Sequence, residues 1–501
     1  MSKSQNAQHS RMDTSHAEPG LQTGRLFNMA EGIFSRADPD SPALIEGDTS
    51  SSYRELNERS AAVAKRLRGA VRGLRAPRIG LQCRDGSGYV ALALGILRAR
   101  ACLVPIAPEL TACERALLAS TIGLDFLLAA ENGTEDFLLE RLSAGAPPPW
   151  TESLASLNPA FIRFSSGTTG HSKGIVLSHE TLRARVEAAN AGLEIGPGDR
   201  VLWVLAMSHH FAVSIILYLW HGATVVLPAS HLAGDILESA VRHRATVIYA
   251  APFHYELLAG DAGRSRWPSL RLAVSTTAAL ARETGAAFFK AFGVHPAQAL
   301  GIIEVGLPCL NVPNPQACPA SVGRVQPAFA FELRDPRGYV VPPGDQGELF
   351  LKGPGMFDAY IEPWQDRAEV MSDGWFSTGD IAQADADGRL CLLGRNRSVI
   401  SVGGMKFFPE EVEAVLCRHP LIAEARVFSR PHPAFGMVPA AEIVAASGES
   451  PPTTREILTF CRTQLSRYKI PVEISFVPKI ARTASGKIPR RTSGFLGDLP
   501  S

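Results

Sequence analysis

Little in this chain marks it for metal scaffolding, disulfides or a membrane. Its 501 residues hold eight cysteines, Cys83, Cys102, Cys113, Cys309, Cys318, Cys391, Cys417 and Cys461, with no Cys-x-x-Cys pair. Neither a zinc site nor a disulfide framework is expected, and each thiol reads as a small core residue in a reducing cytoplasm. Charge of one sign is missing too. The 50 Lys and Arg nearly balance 49 Asp and Glu, for a net +1, so nucleic acid and anionic membrane are not expected partners. No apolar run reaches membrane-spanning length, and the run over residues 211–219 stops at Trp220-His221-Gly222. The start of the chain has no apolar signal core, and residues 1–24, rich in Ser, Gln, His and Gly, are expected to be disordered. Also absent is the commoner P-loop, which places Gly-Lys-Ser/Thr after a first glycine and a four-residue spacer. What is present is a globular composition, 46% hydrophobic and 20% charged. The length predicts two or three domains and a cytoplasmic protein.

Helical and strand-like runs alternate through most of the chain. Residues 53–64 and 89–97 read as helices, and Ile79-Gly80-Leu81-Gln82 and Leu103-Val104-Pro105-Ile106 as strands. Beyond residue 174, Val201-Leu202-Trp203-Val204-Leu205, Thr224-Val225-Val226-Leu227, Thr246-Val247-Ile248-Tyr249 and Leu270-Arg271-Leu272-Ala273-Val274 are continuous apolar runs. Strands buried on both faces with helical crossovers indicate parallel α/β layers. From about residue 331 short strands with Gly and Pro turns predict a β-rich subdomain, and past Gly394 a compact α+β unit begins.

The chemistry-bearing stretch is Ser165-Ser166-Gly167-Thr168-Thr169-Gly170-His171-Ser172-Lys173-Gly174. Glycines let N–H groups crowd around an anion, hydroxyls add donors, and a lysine supplies a mobile charge. The stretch lies between the strand-like Phe161-Ile162-Arg163-Phe164 and the apolar Ile175-Val176-Leu177. That is the setting of a nucleotide phosphate site; a solvated, flexible loop is the bland alternative.

The order Ser-Ser-Gly-Thr-Thr-Gly-x-x-Lys-Gly resembles the phosphate loop of the adenylate-forming superfamily, the acyl- and aryl-CoA synthetases, peptide-synthetase adenylation domains and firefly luciferase. Further segments resemble its motifs in the same order. Leu300-Gly301-Ile302-Ile303-Glu304 resembles Tyr-Gly-x-Thr-Glu, with Leu300 in place of the aromatic and Ile303 in place of the Thr. Thr378-Gly379-Asp380 resembles the ribose-binding motif, Arg395 matches a second ribose contact, and Arg397 matches the hinge. Ser485-Gly486-Lys487 resembles the C-terminal lysine motif, and Gly403-Gly404-Met405-Lys406 a core motif. The resemblance covers roughly residues 25–492.

It implies a large N-terminal domain of stacked α/β sheets with a β-rich subdomain (25–394), a hinge (395–397) and a small mobile α+β lid (398–501). It implies ATP and Mg2+ as cofactors. Ser165, Ser166, Gly167, Thr168, Thr169, Gly170, Lys173, Gly301, Ile302, Asp380, Arg395 and Lys487 would bind nucleotide, and Glu304 and Thr168 the metal. Lys487 would bridge carboxylate and α-phosphate. The missing Thr hydroxyl at Ile303 would remove one donor, worth about 0.5–1.5 kcal/mol.

The acid pocket would be lined by His209, His210, Phe211 and Val213, by Thr276, Thr277 and Ala278, and by Leu300, Ile303 and Leu307, with either histidine as the gate. These residues offer no carboxylate for an α-ammonium, which would be costly to bury alone. An aryl or fatty acid is therefore expected over an amino acid. The implied reaction is an acid–thiol ligation through an acyl-adenylate. The acceptor is CoA or the phosphopantetheine of a separate carrier protein, as in a biosynthetic cluster, and the enzyme a monomer or homodimer. A free-standing amino-acid adenylation domain and an adenylate-binding protein with reduced turnover are the alternatives.

Overall fold

The computed structural model describes residues 26–130, 134–142, 148–165, 173–261, 263, 266–395, 400–407, 409–433, 435–446 and 451–480. The 1–24 segment, phosphate-loop residues 166–172, the hinge position Arg397 and Lys487 lie outside them.

Local signals set the elements. The helix Tyr53–Val71 starts at a capping box, in which Ser52 accepts from the Glu55 N–H and Glu55 answers the Ser52 backbone. Its buried Leu56, Ser60, Val63, Ala64, Leu67 and Val71 fall on one helical stripe. The helix Ser87–Arg98 packs against it at Gly95, where an added Cβ would meet Val63 Cγ1 at 2.4 Å. The strands Thr224–Leu227 and Val247–Ala250 are buried at every position and pair in parallel with Arg200–Trp203, as their unbroken apolar runs predict.

Two large sheets form the body of the fold. One has eight strands, in the order Gln365–Asp366, Ala359–Ile361, Lys173–Ser178, Pro159–Ser165, Cys102–Ile106, Arg78–Cys83, Phe126–Ala130, Phe137–Arg141. The other has thirteen, and it changes character midway. Ala297–Ile302 pairs in parallel with Leu272–Ser275 on one side and antiparallel with Gly306–Leu310 on the other. The link of residues 303–305 is too short for a helical crossover, so the chain must turn back. The β-rich part expected from residue 331 is therefore the antiparallel half of this same sheet, and it begins earlier, at Gly306.

Residues 400–480 build a third, five-stranded sheet, covered by the helices Pro409–Leu416 and Thr454–Gln464 around a separate core that includes Val412, Val427, Ile443 and Ile457. This unit docks on the large one through a buried charge cluster. Lys469 Nζ lies 3.0 Å from Glu114 and 3.1 Å from Glu411, and Ser466 Oγ donates to Glu114 at 2.6 Å. Removing one partner of a buried pair leaves the others uncompensated. Lys469→Ala is therefore expected to destabilise the docked arrangement by about 3 kcal/mol. Hydrogen exchange should quicken in the helix Ala112–Ile122 and the strand Met405–Phe407; unchanged exchange there would mean that the cluster does not hold the two units together.

Candidate active site

One cavity of about 500 Å³ opens where the thirteen-stranded sheet switches from parallel to antiparallel. The carboxyl ends of parallel strands, here Val247–Ala250, Leu272–Ser275 and Ala297–Ile302, are where α/β sheets place their ligand crevices. Glu304 sits in the turn after Ala297–Ile302, at that point.

The turn is fixed from three directions. The buried Arg185, on the helix His179–Leu193, donates from Nη1 to the Ile303 carbonyl at 2.8 Å, and from Nε and Nη2 to the Gly355 carbonyl at 2.9 and 2.8 Å. Phe357 N–H donates to the Glu304 carbonyl at 2.7 Å. The Tyr360 hydroxyl donates to Glu304 Oε1 at 3.2 Å. Burial raises the Tyr360 phenol, and the Glu304 charge raises it further, so it stays a donor. Burial pulls the Arg185 guanidinium down to about 10, where it is still charged at neutral pH. Gly355 has φ +68°, and a Cβ there would lie 2.6 Å from Arg185 backbone atoms, so the close approach requires glycine.

Lys173 is the described end of the phosphate-loop stretch. It lines the cavity with Nζ 3.2 Å from Gln365 Oε1 and 4.6 Å from the centre of the Tyr360 ring. On the same side lie Gly301, Ile302, Glu348 and Phe376-Ser377-Thr378-Gly379. Asp380 is buried behind them and is not part of the cavity wall. It stands directly opposite Arg395 in the antiparallel register of Phe376–Ala384 and Arg389–Arg395, so the sheet itself pairs the two expected ribose contacts. Ser165 pairs with Lys173 across the strands that bracket the loop. Ser166, Gly167, Thr168, Thr169 and Gly170 lie outside the described residues.

The other end of the cavity is walled by the helical run from Met207 to Trp220. This run carries a π-helical segment, Phe211–Ile215, of the kind that often marks functional helices. The Met207 N–H donates to Asp85 Oδ1 at 3.0 Å and anchors its start. His209 and His210 both line the cavity. Burial, and then the charge of Arg163, depresses both imidazoles, His209 to about 3, so both are neutral. Val213, Thr276, Thr277, Ile303 and Leu307 also line it. Phe211, Ala278 and Leu300 do not. Phe211 is fully buried against Tyr89, with ring centres 5.8 Å apart; Ala278 is exposed; Leu300 packs into the core, the alternation of its strand turning it away from Gly301.

Several wall residues were not anticipated: Arg163, Arg185, Ala189, Leu193, Ser214, Leu217, Tyr218, Tyr249 and Tyr360. Trp203 stands behind the far end, its ring 6.0 Å from His210, 6.1 Å from Tyr218 and 6.4 Å from Tyr249. The lone charge of Arg163 inside an apolar strand was a readable signal; the other positions depend on which helix crosses which strand. The small unit closes one side with Gly404, Met405 and Lys406. Gly404 abuts Thr277, which holds a left-handed φ of +76° and whose buried Oγ1 has no hydrogen-bond partner among the described residues. A β-branched residue in that region marks local strain of the kind found at functional sites. Lys487 lies outside the described residues.

Comparison with known proteins places the chain among its relatives. A family model described as AMP-binding enzyme matches residues 34–361, and one described as AMP-binding enzyme C-terminal domain matches residues 411–487. The chain is 32% identical over 350 residues to a sulfoacetate–CoA ligase of Cupriavidus necator, covering 69% of this chain and 67% of that one. It is 28% identical over 476 residues to a feruloyl-CoA synthase of an Amycolatopsis species, covering 90% and 95%. Among solved structures it is similar to the amide bond synthetase McbA of Marinactinospora thermotolerans, at TM-score 0.77 and 25% identity over 92% of this chain and 98% of that one. The fold also matches that of o-succinylbenzoate CoA synthetase from Bacillus subtilis, at TM-score 0.79 and 24% identity over 92% and 97%.

The Arg185 tie predicts its own test. Arg185→Lys keeps the charge but cannot serve two carbonyls with a planar fork. It is expected to lower the unfolding free energy by roughly 2–4 kcal/mol, since buried carbonyls lose their donors. A urea midpoint equal to that of the native chain would show that the tie bears no load.

Proposed function

The chain belongs to the AMP-binding, adenylate-forming enzymes, and on that premise we propose that it ligates an aryl carboxylic acid to the thiol of CoA. In the first half-reaction a carboxylate oxygen attacks the α-phosphorus of ATP, the bond to the β-phosphate oxygen breaks, and pyrophosphate leaves. In the second, the thiol sulfur attacks the acyl carbon, AMP departs, and the thiol proton is lost to solvent. The observation that carries the reading is that one cavity joins Lys173 and Glu304 to a wall that carries Leu217, Tyr218 and Tyr249.

Roles follow from chemistry. Lys173 suits the outer phosphates, and hence pyrophosphate, as a point charge. Asp380, buried behind the cavity wall, and Arg395, opposite it in the strand register, are proposed as the ribose contacts, because a carboxylate can accept from both hydroxyls of a diol. Glu304 suits magnesium, which takes one or two carboxylates and completes its shell with phosphate oxygens and water. Among the described residues no cluster of three or more His, Cys, Asp or Glu offers a fuller cage. Bound there, the ion would offset charge on the phosphate oxygens. Thr168 is proposed to assist it. Lys487 is proposed to bridge carboxylate and α-phosphate. At ~4 Å and an effective dielectric near 20, one such charge is worth roughly 4 kcal/mol, nearly three decades of rate if delivered in the transition state.

The pocket favours an aryl acid over a long-chain fatty acid. Leu217, Tyr218 and Tyr249, with Trp203 behind, stop it at a wall of flat rings, which suits offset or edge contacts with another ring. Hydroxyl-bearing Ser214, Tyr218, Tyr249 and Thr276 line that end and can meet a ring hydroxyl. The carboxylates on the described cavity wall, Glu304 and Glu348, stand on the nucleotide side. An α-ammonium would find no partner among the described residues of the acid end, which argues against an amino acid. CoA is proposed as acceptor because the similar ligases are named for it. The likeness to an amide bond synthetase makes an amine the second acceptor to try, beside a carrier-protein thiol. The small unit, which here presents Gly404 and Lys406, is proposed to turn about Arg397 so that Lys487 serves the first half-reaction and this face the second.

Pyrophosphate release should be measured with benzoate, 4-hydroxybenzoate, 4-hydroxycinnamate, octanoate, palmitate and phenylalanine, each with CoA, a phosphopantetheinylated carrier protein and an amine. Aryl acids with CoA should react, with palmitate and phenylalanine at least 100-fold poorer. Activity on none of these acids would sink the reading. Lys487→Ala should slow acyl-adenylate formation by about 100–1,000-fold while leaving thiol transfer from preformed acyl-adenylate within about threefold of native. Equal loss in both halves would refute the division of labour between the two faces.

A further inference from the structure

The strand Pro159–Ser165 carries one charge among apolar neighbours. Phe161 and Ile162 are buried, and Arg163 lines the cavity. Its Nη1 donates to the His209 carbonyl, the one hydrogen bond its guanidinium makes among the described residues, and none of the ion pairs among them includes it. The contrast with Arg185 is instructive. Both arginines border the cavity, and burial pulls both guanidinium groups down to about 10. Arg185 satisfies its fork with three bonds to two carbonyls; Arg163 makes one bond to one carbonyl among the described residues. Arginine does not shed its proton to escape burial; the Glu304 charge across the cavity offsets only part of the desolvation, and the two form no ion pair among those of the described residues, so much of the cost remains. A chain that keeps one on a cavity wall has a use for an anion there.

The position selects which anion. Arg163 stands two residues before Ser165, on the strand that runs into the phosphate loop, and grips the backbone of His209 on the acid side. The histidines beside it are neutral and supply no charge. Lys173 is engaged with Gln365 and the Tyr360 ring. The groups that must meet at this seam are the α-phosphate and the reacting carboxylate. We propose that Arg163 is the receptor for the carboxylate of the acid substrate, holding it on the His209 side until it attacks, and that this charge makes the cavity select carboxylic acids over neutral isosteres. The inference rests on the acid–thiol ligase reading and adds a specificity-determining residue to it.

The test uses the best acid from the panel above and its carboxamide, which has nearly the same shape and no charge. Inhibition by each is measured for the full-length native enzyme, Arg163→Gln and Arg163→Lys, together with the KM for ATP. The native enzyme should prefer the acid over the amide by at least 30-fold. Arg163→Gln should cut that preference to within threefold, raise the KM for the acid at least 30-fold and move the KM for ATP by less than threefold. Arg163→Lys should fall between. A preference retained in Arg163→Gln, with only a lowered melting temperature, would make the residue a mere prop for His209 and overturn the inference. So would a KM for ATP that rises in step with that for the acid, which would mark a phosphate contact. A native enzyme that turns over no acid on the panel overturns the parent reading instead, and the two failures are distinct.

Discussion

The buried guanidinium of Arg185 is the constraint on which the site depends. It crosses from the helix His179–Leu193 to two carbonyls, Ile303 and Gly355, that belong to different parts of the chain. Ile303 begins the turn in which one sheet changes from parallel to antiparallel, and Gly355 lies between the strands Gln346–Lys352 and Ala359–Ile361, which belong to different sheets. A single planar fork thus joins both large sheets at the place where Glu304 must stand. An arginine can do this because its donors diverge in one plane and each meets an acceptor with a full lone pair. The desolvation cost is offset only while all the bonds are kept, so the arrangement tolerates little drift. The helix that carries Arg185 is fixed in turn: Asp358 accepts from Ser178 N–H at 2.6 Å and from Thr181 Oγ1 at 2.9 Å at its start.

Electrostatics then divides the cavity. Arg163, Lys173, Arg185 and Lys406 bring positive charge to its wall, against Glu304 and Glu348. Joining two anions calls for such an excess. The histidines contribute none, because burial keeps them neutral; they offer shape and lone pairs. Past them the wall becomes aromatic and hydroxylated, and selectivity turns from charge to fit.

Much of this was legible in the sequence, for physical reasons. Thr224–Leu227 reads as a doubly buried strand because nothing polar interrupts it, and Tyr53–Val71 as a helix because Ser52 and Glu55 announce its start. Lys173, Glu304, Thr276 and Thr277 were readable as cavity residues because turn motifs constrain their own geometry. Less legible were residues whose role depends on a distant partner. Nothing local shows that Arg185 reaches Gly355, or that Tyr218 and Tyr249 meet over Trp203. Phe211 illustrates the opposite error. It follows two cavity histidines, but the helical turn carries it to Tyr89 and the core. Adjacency in sequence is not adjacency on one face. The antiparallel half begins at Gly306 rather than near residue 331 because a three-residue turn, not a change of composition, reverses the chain.

The two departures from the Tyr-Gly-x-Thr-Glu pattern carry unequal weight. Leu300 packs into the core and is absent from the cavity wall, so its side chain reports on packing rather than on nucleotide contact. Ile303 does line the cavity, and there a hydroxyl donor is missing. Its carbonyl, however, anchors the turn through Arg185, and a carbonyl is independent of the side chain. The substitution therefore removes one contact without moving Glu304. One neutral hydrogen bond is worth about 0.5–1.5 kcal/mol, at most roughly tenfold in rate. That is small beside the charge that Lys487 would bring, and too small to turn an enzyme into a passive binder of adenylate. Ile303 displaces none of the charges on the cavity wall.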